Sequence, residues 1–182
     1  EEAEFIVAEP NMENLQRLLT HHLKHVPFEN LDQHCHPPHE ETEEIPRRKN
    51  LPSLDVSRSL EKIVFRNRGG FCFELNFSFH WLLSSLGYHA RLALADVSCS
   101  QSVPGHVVIL VDDLLESGSV LVDVGFGDPG VCDVLLPLEY NARNTDLHGD
   151  VFEFEKDDTD TEMHEGRFDT TLHRYRVSDP AT

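Results

Sequence analysis

Basic residues are scarce in this chain: 15 Lys and Arg stand against 33 Asp and Glu among 182 residues, a formal net charge of −18. A phosphate backbone is gripped by clustered Lys and Arg, so the deficit argues against a nucleic-acid partner. It argues equally against docking on an anionic membrane surface. Cysteine is sparse as well. Cys35, Cys72, Cys99 and Cys132 are scattered without C-x-x-C spacing, which excludes a disulfide scaffold and fits reduced thiols in a cytoplasmic protein. No apolar run reaches membrane-spanning length and no charged-then-apolar leader is present, although the chain opens on Glu1-Glu2 rather than Met, as it would had a leader been removed. What remains is ordinary: 39% hydrophobic and 26% charged residues, enough apolar surface to offset ordering entropy and build one large domain or two sharing a core.

The chain changes texture near its middle. Met12, Leu15, Leu18, Leu19, Leu23 and Val26 recur at three- and four-residue steps, predicting a helix over Asn11–Val26 that Pro27 ends. His34–Pro52, with four prolines among charged residues, reads as an exposed loop. A second helix is expected from an Asp55 N-cap through Leu60, Ile63 and Val64. Gly69-Gly70 breaks it, and a third should begin near Phe71 and stop at Gly87, where a C′ glycine belongs. After Gly87 come short β-like runs: Arg91–Val97, His106–Val111, Val120–Val124, Val134–Leu138, Val151–Phe154 and Thr171–Val177. No helical pattern lies between them, so a doubly wound parallel sheet is not expected. The predicted class is α+β, a helical domain over 1–87 and an antiparallel β domain over 88–182. The acidic runs Glu40–Glu44 and Glu153–Glu165 read as solvated loops, whereas Arg58–Arg68 concentrates four of the basic residues.

Three residues stand out chemically. Cys72 follows Arg68-Gly69-Gly70-Phe71 at an expected helix start. Free N–H groups and the helix dipole stabilise a thiolate there, and the same N–H groups can form an oxyanion hole. By itself Cys72 reads equally well as a buried core cysteine. His106 opens a β run directly after Pro104-Gly105, on one face with Val108 and Leu110. Asp123 sits in the apolar Val120–Val124 run, where a carboxylate is costly without a partner. A ring nitrogen of His106 is the natural one, giving a Cys-His-Asp arrangement for acyl transfer.

Four blocks lie in order: Val26-Pro27-Phe28-Glu29-Asn30-Leu31, Asn67-Arg68-Gly69-Gly70-Phe71-Cys72-Phe73-Glu74-Leu75-Asn76, Gly105-His106-Val107-Val108 and Val122-Asp123-Val124-Gly125-Phe126-Gly127. Over about Asn11–Leu138 the chain resembles the arylamine N-acetyltransferase family. The resemblance implies a helical bundle, an antiparallel β-barrel, a cysteine-proteinase-like catalytic core and an α/β lid. It also implies ping-pong transfer of acetyl from acetyl-CoA, through a thioester, to an arylamine or arylhydrazine nitrogen, as in xenobiotic metabolism. Carried over by position, Cys72 resembles the nucleophile, His106 its base and Asp123 the orienting acid. Glu29 and Arg68 match an ion pair bracing the catalytic loop. Phe71, Gly105 and Phe126 correspond to substrate contacts, although Phe126 reads equally as a turn-anchoring hydrophobe. Ser102 and Val103 fall in the stretch where CoA approaches.

The chain departs from that pattern at its end. Thr182 falls inside or just after the expected barrel, so the lid is expected to be missing or truncated, in a fragment or a degenerate copy. Three other readings compete: a cysteine hydrolase or transglutaminase-like enzyme, an inactive binding module, and metal binding by His34, Cys35, His36 and His39 with His21, His22 and His25 nearby. The Val-Pro-Phe-Glu-Asn-Leu block tells against the first, the triad against the second, and the irregular spacing against the third, so no metal is expected. Oligomeric state has no signature in the sequence.

Overall fold

In a computed structural model, the structure describes residues 9–31, 55–95, 105–116, 118–127, 133–156 and 170–175. The expected loop at His34–Pro52 and Ser102, Val103, Cys35, Cys99 and Cys132 lie outside these residues. Among the described residues, all helices precede Gly87 and all strands follow it. Helix α1 spans Met12–His25; Asn11 caps it by accepting the Asn14 N–H at 2.8 Å. Leu15 and Leu19 are its fully buried ridge.

Asp55 caps α2 (Val56–Leu60), its side chain accepting from Ser57 N. The expected α-helical phase then fails. Residues Glu61–Phe65 wind as a π-helical turn, and the wider winding redirects the side chains that follow. Lys62 turns inward to 8% exposure, while Val64 and Phe65, apolar in sequence, are exposed. Helix α3 (Cys72–Ser85) starts and ends where its sequence says. Gly87 has φ +88°, Tyr88 N bonds Leu83 O and Gly87 N bonds Ser84 O, a Schellman ending that only glycine fits cheaply.

Strands β1 (His89–Ala95), β2 (His106–Leu115), β3 (Gly118–Val122) and β4 (Leu136–Pro137) form one antiparallel sheet in that order. β5 (Arg143–Thr145), β6 (Val151–Lys156) and β7 (Thr170–Tyr175) form a second. The expected barrel is therefore not observed: the described strands make two open sheets. Pro137 supplies a physical reason, since β4 is two residues long and its proline has no N–H to extend the ladder. The chain leaves the first sheet there, and Tyr140 bridges to Phe154 of the second. Strand β5 was not expected, being short and polar. The Val151–Phe154 run extends to Lys156 as β6, so Glu155, expected in a solvated loop, lies within the strand; Glu153 and Glu155 pair with Arg143 and His173.

One core joins the helices to the first sheet. Leu15 and Leu19 of α1 and Leu75, Phe79 and Leu83 of α3 cluster with Ile109 and Val111 of β2 and Val120 and Val122 of β3. Burying each such side chain is worth about 1.5–3 kcal/mol. A smaller cluster of Leu136, Phe152 and Phe154 ties the second sheet on. This packing brings the start of α3 against β2 and the end of β3.

Candidate active site

Two elements running side by side place Cys72. Phe28 and Gly70 form a parallel bridge, with Gly70 N bonded to Pro27 O at 3.3 Å and Glu29 N to Gly70 O at 2.9 Å. The Val-Pro-Phe-Glu-Asn-Leu block is thus a rail for the Arg-Gly-Gly loop. The approach is close enough to require glycine, because a Cβ on Gly69 would lie 1.6 Å from Pro27 O. From this rail the chain enters α3 with Phe71 as N-cap and Cys72, half-buried, as first helical residue. Phe71 has no side-chain acceptor. The cap is supplied by Glu74, whose Oε2 accepts the Phe71 N–H at 3.2 Å. That N–H is occupied, which narrows the expected oxyanion hole.

A chain of charges backs the loop. Arg68 Nη2 reaches Glu29 Oε1 at 2.6 Å, the expected ion pair. Lys62 Nζ lies 3.6 Å from the same Glu29 oxygen and donates to both oxygens of Glu74 at 2.8 and 2.7 Å. Lys62 and Glu74 are the part the sequence reading missed. Their signals were a lone lysine in an apolar helix and a glutamate three residues after the N-cap.

On the sheet side, His106 opens β2 and Asp123 follows β3. His106 Nε2 donates to Asp123 Oδ2 at 2.6 Å, with both side chains largely buried. The Cys72 side chain also neighbours the imidazole closely enough to bear on its titration. Burial pushes the ring's pKa down, but donation to the Asp123 carboxylate, the Cys72 side chain and the negative charges of both outweigh it, raising it to about 9. His106 and Asp123 are thus joined directly, with Cys72 neighbouring the ring.

Asn76, fully buried one turn after Cys72, had no role in the sequence reading. Its Nδ2 donates to Asp123 Oδ1 at 2.8 Å and to Val107 O at 2.7 Å, and its Oδ1 accepts from Val124 N at 3.1 Å. Gly125 N completes the cradle with a 2.8 Å bond to Asp123 Oδ1. A Cβ on Gly125 would stand 2.7 Å from the Cys72 Cα, so the sheet presses directly on the helix start. The signal for Asn76 was its spacing, since positions i and i+4 share a helix face.

The expected substrate contacts are placed unevenly. Phe126 is 45% exposed, its ring edge-on to His106 at 5.1 Å. Phe71 is buried beside Phe73, with ring centroids 5.9 Å apart. Gly105 immediately precedes His106. Among the described residues no group of three or more metal-ligand side chains converges, and no helix is long and apolar enough to cross a membrane.

Known proteins carry the same arrangement of sequence and fold. A family model described as N-acetyltransferase matches residues 11–180. An arylamine N-acetyltransferase from Gallus gallus, pineal gland isozyme NAT-3, is 36% identical over 125 residues, covering 65% of this chain and 37% of the relative. Arylamine N-acetyltransferase 1 of Homo sapiens is 26% identical over 120 residues, again 37% of the relative's length. The Salmonella typhimurium enzyme structure superposes with TM-score 0.66 at 26% identity, covering 92% of this chain and 57% of that one. The Mycobacterium marinum enzyme, solved in complex with CoA, superposes with TM-score 0.62 at 26% identity, covering 81% and 52%. This chain thus spans well under two thirds of the relatives it matches. It belongs to the arylamine N-acetyltransferase family.

Proposed function

We propose that this chain is the nucleophile-bearing part of an acetyl-CoA-dependent arylamine N-acetyltransferase that works by a ping-pong cycle. The observation that carries the reading is His106, buried, bonded to the Asp123 carboxylate and neighboured by Cys72. Cys72 attacks the acetyl-CoA thioester as a thiolate, and His106 passes its proton to the departing CoA thiolate. Exchange of one thioester for another is close to isoenergetic, so a poised thiolate suffices for this half. The N–H groups of Cys72 and Phe73, orphaned by their place in the first turn, support the oxyanion.

The second half needs a base. An aromatic amine is a weak nucleophile and gains from losing its proton as it attacks. Acetylation removes the thiolate charge that helps hold the His106 pKa up to about 9. The ring's proton affinity then drops, and His106 becomes able to accept the amine proton. The exposed Phe126 face beside His106 is where an aryl or arylhydrazine ring stacks. In this reading 1–87 supplies the nucleophile, 88–182 supplies His106 and Asp123, and Ser102 and Val103 contact CoA.

Intact mass after incubation with acetyl-CoA alone tests the proposal. One acetyl group per chain, lost in Cys72→Ala and on addition of an arylamine, is expected. No adduct on the folded protein, or one that persists in Cys72→Ala, rejects it.

A further inference from the structure

The charges behind Cys72 do more than brace a loop. Lys62 and Glu74 are each 8% exposed, and the ammonium sits against both carboxylate oxygens. A buried ion pair is weak evidence for stability, since an apolar pair of similar volume often serves as well. Its location is more informative. Glu74 binds the Phe71 N–H, so its charge lies beside the peptide leading into Cys72, at the helix end whose dipole favours a thiolate. A lone carboxylate there opposes the anion that the helix end promotes.

Among the described residues, His106 neighbours the sulfur from β2 and Asp123 acts through His106. On the helical side, Glu29 is held at 2.6 Å by Arg68, and Lys62 stands 3.6 Å away. Among these four side chains, the two positive charges of Arg68 and Lys62 balance those of Glu29 and Glu74. Removing Lys62 alone breaks the balance at the carboxylate nearest the start of α3.

We infer that Lys62 is a positioning residue that, by neutralising Glu74, sets how readily Cys72 ionises. This rests on Cys72 being the nucleophile, but the test requires neither acetyl donor nor amine acceptor. Alkylation of Cys72 by iodoacetamide is followed against pH, with its peptide quantified by mass spectrometry, in the parent chain, Lys62→Met, Glu74→Gln and the double variant. The midpoint should rise by roughly one pH unit in Lys62→Met and fall comparably in Glu74→Gln. The double variant should return close to the parent. A purely structural brace would shift both single variants the same way, and the double variant further, which overturns the inference. Should Lys62→Met fail to fold, Glu74→Gln decides alone, because its amide oxygen still accepts from Phe71 N. An unchanged or raised midpoint there also overturns it. Opposite shifts without any acetyl-Cys72 would leave this inference standing and reject acetyl transfer instead.

Discussion

Replacing Asn76 with alanine tests whether the helix and the sheet are locked together at the site. The substitution removes the acceptor of Val124 N, one donor to Val107 O and one of two donors to Asp123 Oδ1. A buried group left unsatisfied costs about 1–3 kcal/mol. Val124 N loses the acceptor described for it, whereas Asp123 keeps Gly125 N, so the total should be near 3 kcal/mol. With a urea slope of about 2 kcal/mol/M, the unfolding midpoint should drop by roughly 1.5 M. Asn76→Asp sharpens the test. It keeps an acceptor for Val124 N but turns a carboxylate oxygen toward Asp123 and Val107 O. At neutral pH it should be at least as destabilised as the alanine variant, and should recover part of the loss on acidification, when the carboxyl can donate again. A midpoint within about 0.3 M of the parent in Asn76→Ala, or no acid recovery in Asn76→Asp, would refute the reasoning.

Other expectations follow from close contacts and buried rings. Gly125→Ala places a methyl 2.7 Å from both the Cys72 Cα and Asn76 Nδ2, so Cys72 alkylation at neutral pH should fall at least about tenfold for a displacement costing only about 1.4 kcal/mol; an unchanged rate would mean that the sheet does not press on Cys72. His22, packed edge-on to Phe79 at 5.0 Å, has its pKa lowered by burial from 6.5 to about 4, so the unfolded chain binds its proton first and stability should fall by up to about 3 kcal/mol as pH drops between those values. His22→Leu should flatten that acid limb in urea titrations, and a parallel pH dependence in the variant would show that His22 is not its source. His106 acts with opposite sign: its pKa is raised from 6.5 to about 9, so its contribution, also about 3 kcal/mol, is complete below 6.5 and lost as pH rises through about 9. His106→Gln should remove that alkaline slope; its retention would place the titration elsewhere.

Much of this was legible in the sequence because it depends on local rules. The cap at Asp55, the stop at Gly87 and the order of helices before strands follow from side-chain chemistry and periodicity. The three site residues were legible because each is locally odd: a thiol at a helix start, an imidazole at the mouth of a strand and a carboxylate in an apolar run. What was hidden depends on contacts between distant segments. The π-helical turn buries Lys62 and exposes Val64, and no spacing rule announces it, because the lysine's burial depends on Glu74 and Glu29 being there to receive it. Sheet closure was equally unreadable, as β5 carries no hydrophobic alternation and Pro137 matters only once its neighbours are known.

The two flanks of Cys72 solve different problems. On the sheet side, polar groups converge on one carboxylate: Asn76 and Gly125 occupy Asp123 Oδ1, which leaves Oδ2 to fix the imidazole. That arrangement controls direction, since an amide and a backbone N–H tolerate little rotation. On the helical side, paired charges control field, because Arg68, Glu29, Lys62 and Glu74 cancel at close range. Direction lost through Asn76 and field lost through Lys62 should therefore be separable. An Asn76 variant should lower the extent or rate of Cys72 reaction at every pH, whereas a Lys62 variant should move its profile along the pH axis and leave the plateau in place. Both effects meet at a helix start that Gly69, Gly70 and Gly125 allow to be approached from both sides, where any side chain would hold the two halves apart.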